Sequence, residues 1–163
     1  GELTNPDSIH FDDSLKYYTV RKHRPVYGGG GVMPDYFVPL DTTKFTVYHR
    51  QIMAKNILMD AFLKYVDNNR KALRKGFKTF NDFQANYEVP TSLTEAIVVE
   101  AKKQKIEPKN AADLEKSLVY MRHQIKSLVA RDIWDMNEYF RIWNEQSDII
   151  QKALDVIKAD EKQ

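Results

Sequence analysis

One apolar stripe constrains this chain more than any other feature. Leu114, Leu118, Met121, Ile125 and Leu128 alternate spacings of four and three. That period places all five on one face of an α-helix, and so continuous a face demands a partner layer. Ile133, Met136, Phe140 and Trp143 continue the stripe with a change of phase near Arg131-Asp132. Ser147 is placed to cap a last helix carrying Ile150, Leu154 and Ile157. Upstream, Asp41-Thr42-Thr43 offers N-cap oxygens to the first free amides of a helix. That helix is expected from about Phe45 to about Arg74, with Ile52, Met59, Phe62 and Val66 as its stripe and Asn68-Asn69 as its point of interruption. Gly76 breaks the pattern, and Thr79 caps a short helix through Phe80 and Phe83, which Pro90 ends. Ser92-x-x-Glu95 is a capping-box pattern opening a helix to about Lys105. Beyond Pro108, Asn110 is the expected cap of the long segment.

The chain before Asp41 has a different character. It holds five of the six glycines and four of the six prolines. Asn5-Pro6-Asp7-Ser8 and Asp12-Asp13-Ser14 have turn chemistry. Leu15-Lys16-Tyr17-Tyr18-Thr19-Val20 is aromatic and β-branched, so it reads as a strand. A basic turn follows, from Arg21 to Pro25. Tyr36-Phe37-Val38 is expected as a short second strand at an edge or as a merely extended segment, because Pro34 and Pro39 withhold ladder hydrogen bonds. The expected fold is therefore mainly α: a helical bundle over residues 41–163, preceded by a short extended or β segment over residues 1–40. The chain opens Gly1-Glu2-Leu3 without methionine or a signal segment, and reads as a piece of a longer protein.

Charge and composition narrow the function classes. Lys and Arg total 25 against 23 Asp and Glu, a net charge of +2. That balance provides no electrostatic case for nucleic acid or an anionic membrane surface. The basic clusters Lys71, Arg74, Lys75, Lys78 and Lys102, Lys103, Lys105 lie near expected helix C-termini, where cations favour the helix dipole. The longest apolar run, Ala96-Ile97-Val98-Val99, is far short of the ~20 residues that span a bilayer. With Cys 0, disulfide and thiolate chemistry have no residues to use.

The side chains that carry chemistry are scattered. Nucleophilic catalysis needs an activated hydroxyl with a base in reach. None of Ser8, Ser14, Ser92, Ser117, Ser127 and Ser147 sits in a G-x-S-x-G elbow or an S-x-x-K pair. His10, His23, His49 and His123 have no ligand spacing, and no cofactor is expected. Asp132, Asp135 and Glu138 stand at three-residue steps, but Arg131 to Asp135 and Glu138 to Arg141 offer ordinary helix ion pairs. The least usual element is the run Gly28, Gly29, Gly30 and Gly31, followed by Pro34 and Asp35. Consecutive glycine amides can form an anion nest. A nucleotide loop, however, requires a Lys-Ser/Thr sequel or a G-x-G-x-x-G frame, and Val32-Met33-Pro34 supplies neither. The six residues are thus expected chiefly to position backbone, with an anion-binding domain using Gly28 to Gly31 as a third reading.

Residues 15–43 read LKYYTVRKHRPVYGGGGVMPDYFVPLDTT. This segment resembles the carboxyl-terminal processing (tail-specific) serine peptidases in their Bacteroidetes form, which carry a similar VYGGGGI-x-PD-x-FVP-x-DTT stretch close after the protease core. Tyr65-Val66-Asp67-Asn68-Asn69-Arg70 is similar to their Y-V-D-x-N-R. The run from Ala130 to Phe140, ARDIWDMNEYF, resembles their A-R-D-L-W-D-M-N-E-Y-F.

The resemblance implies a fragment. The family's parent chain has a PDZ domain, a core with a Ser-Lys dyad and a C-terminal region, and the dyad lies upstream of the glycine segment. No catalytic residue carries over. Residues 1–40 are then the tail of the protease core, and the helical remainder is its non-catalytic extension. The implied role is support of a serine endopeptidase through substrate access, partner docking or assembly. The implied partners are the upstream core and protein substrates or an adaptor, and the implied location is the periplasm or cell envelope. The alternative is an independent helical interaction module.

Overall fold

The computed structural model describes residues 12–21, 23–28 and 36–160. The chain divides into two compact units, Gly1–Thr42 and Thr43–Gln163. In the first, Asp12 caps a 3-10 turn over Asp13–Leu15 by accepting from the Ser14 amide at 2.9 Å. Strands β1 (Lys16–Tyr18) and β2 (Pro25–Tyr27) follow, antiparallel, with Lys16 opposite Tyr27 and Tyr18 opposite Pro25. No strand forms over Tyr36–Val38; Tyr36 lies in a bend and the segment joins no ladder. The partner of β1 comes instead from the far end of the basic turn. Thr19 closes that turn twice, accepting at its hydroxyl from the Arg24 amide at 3.0 Å and donating its own amide to the Arg24 carbonyl at 3.0 Å. Pro25 is tolerated because it begins the strand.

The second unit is helical. Its elements are α1 (Val47–Ala54), α2 (Ile57–Gly76), α3 (Phe80–Asn86), α4 (Thr91–Lys103), α5 (Ala111–Ile133), α6 (Met136–Trp143) and α7 (Asp148–Asp160), with a 3-10 turn over Asn144–Gln146 before α7. With one two-stranded ladder against these seven helices among the described residues, the fold is mainly α. None of the helices is long and apolar enough to cross a membrane.

The caps explain where the helices begin. Thr46, Thr79, Asn110 and Asp135 each accept a backbone amide two or three residues on. Each such bond satisfies a donor that the helix itself leaves free. Four sequence expectations change here, the first being that Thr46 and not Asp41-Thr42-Thr43 caps the first helix. The helix expected over 45–74 is two helices, because Asn56 adopts a left-handed conformation at φ 57, which asparagine tolerates better than most residues. Asn68-Asn69 does not interrupt; the Asn69 amide donates back to the Tyr65 carbonyl at 2.8 Å and stays within the turn. Ser92 is not a cap, since α4 begins at Thr91 behind Pro90, whose φ of −57 is already near the helical value.

The core is built around α5, which packs against α1, α2, α4 and α6. Met121, Ile125, Leu128, Val129 and Ala130 are buried on it, while Leu118 and Leu114 are half-buried at its edge. Ile52, Phe62, Val66, Phe83 and Ile97 fill the space opposite. The hydroxyls of Thr46, Thr94, Ser117 and Ser127 also enter the core, each with a partner. Thr46 and Ser117 bond at 2.6 Å while Ser117 donates to the Asp113 carbonyl at 2.6 Å. The stripe does not continue as one helix past Asp132. Trp134 breaks the run, Asp135 restarts it, and Met136 and Phe140 end up exposed.

Leu128→Ala is expected to cost about 2–5 kcal/mol in urea unfolding, the usual range for emptying a packed leucine site. Leu118→Ala, half-buried, is expected to cost clearly less.

Candidate binding surfaces

The residues of the two helical motifs meet in space. Arg70 on α2 grips Asp132 on α5 with both ends of its fork: Nε donates to Oδ2 at 2.8 Å and Nη2 to Oδ1 at 3.0 Å. Bidentate pairs of this kind add geometric specificity to charge. Nη2 also reaches Asp67 Oδ1 at 3.1 Å, and Arg74 donates to the Asp132 carbonyl at 3.3 Å. The bond to Asp132 pushes the Arg70 guanidinium further toward its charged form. Around this joint, Val66 and Ala130 are buried, and Trp134 sets its ring edge-on to Phe80 and Phe83 at 5.7 and 5.3 Å. The Tyr87 hydroxyl donates to that of Tyr65 at 3.3 Å, and burial pushes the Tyr87 phenol well up. Arg141 lies 4.3 Å over the Phe80 ring. The motif residues therefore lock α2, α3, α5 and α6 together.

The carboxylates at three-residue steps serve this joint separately. Asp132 belongs to Arg70, and Asp135 caps α6, where the Asn137 amide at 2.6 Å holds its carboxyl below the usual range. The expected pair of Arg131 with Asp135 does not form, because Asp135 faces the free amides of the next helix. Among the described residues, no group of three histidines, cysteines or carboxylates is arranged to hold a metal.

The histidines and serines remain apart in role. His49 is buried on α1, stacked on Phe45 at 5.0 Å, and its Nε2 has no partner. Burial pushes its pKa below 6.5, against an opposing contact from Gln124. His123 reaches the Trp143 carbonyl at 3.4 Å and is likewise depressed by burial. Ser127 donates to the His123 carbonyl at 2.9 Å. Gly28 donates to the Leu15 carbonyl at 2.7 Å, and a Cβ there would stand 3.0 Å from the Tyr17 ring. Glycine at this position lets the tyrosine lie across the turn. Gly29, Gly30, Gly31, Pro34 and Asp35 lie outside the described residues, as do His10 and Ser8.

Among the open surfaces of the helical unit, two are extended and largely apolar. One is a groove of about 590 Å³ between α2 and α4. Its floor is Ile57, Ala61, Tyr65, Leu93, Ala96 and Val99, and its rim carries Asp60 and Lys64 on α2, Glu100 and Lys103 on α4. The two alanines keep the floor low, and the rim charges cancel. The other is α7, which contributes no buried residue. Ile149, Ile150, Leu154 and Ile157 are 63%, 37%, 41% and 55% exposed, although at about 100° per residue they share one broad apolar face. Neither surface was singled out by the sequence. The groove has no periodic signal, since its alanines and asparagines differ too little from their neighbours in hydropathy to mark a face. The α7 stripe was visible as a helix but reads like any other core-facing face.

The fold and its joint define a helical domain with an open groove and an exposed apolar helix face. Residues 48–135 match a protein family of unknown function (DUF8443), more than half of the chain, and the chain belongs to that family. No curated protein and no solved structure matches it. The matched span runs from α1 to the cap of α6, so it contains the Arg70–Asp132 joint and the α2–α4 groove, while α7 lies beyond it.

Two measurements test this description. Asp132→Ala is expected to lower the melting temperature, and the Arg70→Ala/Asp132→Ala double variant to lose less than the sum of the singles, the mark of a direct pair. The second is pH dependence. In the folded chain His49 stays neutral below 6.5, while the unfolded chain binds its proton there. Stability is therefore full above about pH 6.5 and falls as the pH drops below it, before the carboxylates titrate. His49→Gln should reduce that slope, leaving the contribution of His123, which burial also depresses.

Proposed function

We propose that this chain is a non-catalytic region of a serine endopeptidase of the carboxyl-terminal processing type, and that its helical unit serves as a docking and assembly domain. The observation that carries the reading is the division of labour within the helical unit. Within the two helical motifs of the resemblance, Val66, Arg70, Ala130, Asp132 and Trp134 are committed to the joint between helices, while Tyr65, Asn68 and Asn69 also line the α2–α4 groove. The surfaces open for contact include that groove and the exposed face of α7. Both are shaped for polypeptide: an apolar floor or face with a mixed-charge rim, the form in which amphipathic segments are taken up. In this reading the Ser-Lys dyad belongs to the part of the parent upstream of the glycine segment, and the parent resides in the periplasm or envelope. Substrates or an adaptor would meet the helical unit on these surfaces.

A second reading has its own support. The unit from Thr43 onward encloses its own hydrophobic core, as an independent interaction module would. Two results separate the readings. The reading frame upstream of Glu2 is expected to encode a PDZ domain and a protease core; a start codon directly before Glu2 would decide for the independent module. The purified chain is expected to leave unfolded protein substrates uncut. Cleavage lost on mutating one of its own serines would overturn the non-catalytic assignment.

A further inference from the structure

We infer that α1 is an acid-released latch: when the His49 ring takes up a proton, α1 leaves the surface of α5 and unwinds, while the rest of the helical unit stays closed. The inference goes beyond the docking role proposed above and does not depend on it. Three observations converge on it.

The first is where the unpaired polar groups lie. Among the described residues, three buried side-chain polar atoms have no hydrogen-bond partner, and two of them, the Tyr48 hydroxyl and His49 Nε2, are on α1. Tyr48 is 1% exposed and His49 5%. Each such atom carries a desolvation cost that lapses when the helix returns to water. α1 therefore holds its place against a standing penalty.

The second is what surrounds the imidazole. Phe45 stacks on it at 5.0 Å, and the Gln124 amide of α5 meets it. Arg50, on α1 itself, adds positive charge beside it. The charged groups of the neighbouring helices are engaged elsewhere. On α5, the Asp113 carboxyl accepts from the Lys109 amide at 3.1 Å, Lys116 donates to the Thr43 carbonyl at 2.7 Å, Lys126 donates to the Gln84 carbonyl at 2.8 Å, and His123 reaches the Trp143 carbonyl at 3.4 Å. On α2, Asp60 and Lys64 line the groove toward α4. Among the described residues no carboxylate is paired with His49. A neutral ring is tolerated in this setting. An imidazolium would lie buried beside Arg50 with its Nε2–H facing no acceptor, the costly way to bury a charge.

The third is that α1 is free to leave alone. It has eight residues, below the length at which a helix holds in water unaided, so it unwinds as it leaves. Asn56, left-handed at φ 57, separates it from α2, and residues 36–46 before it form neither helix nor strand. The Thr46–Ser117 bond breaks without orphaning α5, because Ser117 still donates to the Asp113 carbonyl at 2.6 Å. The contacts that close the far end of α5, Arg70 on Asp132 and Trp134 against Phe80 and Phe83, do not involve α1. Release uncovers the part of α2 and α5 that α1 now covers with Tyr48 and Ile52, so this apolar surface is presented in acid and withheld at neutral pH.

Native-state amide hydrogen exchange on the full 163-residue chain, corrected for intrinsic rates at pH 7.5 and 5.5, tests this. Amides from Arg50 to Ala54 are expected to exchange at least tenfold faster than those from Met121 to Ala130, and with little dependence on sub-denaturing urea, the mark of local opening. Their protection should fall by up to about tenfold at pH 5.5, the limit for one imidazole whose free pKa of 6.5 lies one unit higher. His49→Phe should abolish that fall, and His49→Gln provides the same test should phenylalanine crowd the site. Exchange of α1 with the protection and urea dependence of α5 overturns the inference, because α1 would then leave only with the whole unit. So does an unchanged pH response in both His49 variants.

Discussion

Burial of one face of α5 is the constraint from which the other helices take their places. A 23-residue helix with Met121, Ile125 and Val129 fully inside leaves α1, α2 and α4 few ways to cover it. The hydroxyls on α5 make the arrangement more specific. Ser117 and Ser127 turn back to carbonyls one turn earlier, so the helix buries polar atoms without leaving them unpaired. Ser117 then shares a bond with Thr46, which fixes the start of α1 against the middle of the unit. The Arg70 fork on Asp132 does the same work at the other end of α5. Hydrophobic burial selects the layer, and these polar contacts select the register.

That logic assigns the motif residues to structure. A buried joint of Val66, Ala130, Trp134 and Phe83, tied by an ion pair, resists substitution whatever the domain binds. The Arg70, Asp132 and Trp134 positions of the helical motifs therefore mark the scaffold. The groove is lined by alanine and valine together with Ile57, Leu93 and the motif residue Tyr65, and the α7 face is isoleucine and leucine. Such surfaces recognise shape and apolar area more than any single group.

Much of the fold was legible because its signals were local. Thr79 and Asn110 were readable as caps from one hydroxyl or amide ahead of a periodic run. The Met121–Leu128 face was readable from its spacing. What was not legible depended on contacts distant in sequence. The break at Asn56 comes from a left-handed backbone that the surrounding apolar stripe conceals. Asp132 was read with its helix neighbours, whereas its partner is 62 residues away on α2. The exposure of Met136 and Phe140 followed from the restart at Asp135, which turns a continuous stripe into two helices of different facing. The α7 stripe was read correctly as helical, but a hydrophobic period alone does not say whether its partner belongs to the same chain.

α5 is held by the whole unit, whereas α7 contributes no fully buried residue, and amide hydrogen exchange reads that difference directly. In dilute solution, amides from Met121 to Ala130 are expected to exchange only through global unfolding, while those of α7 exchange orders of magnitude sooner through local opening. Protection of α7 equal to that of α5 in the dilute monomer would contradict the account, because it would require a partner for α7 within the same chain.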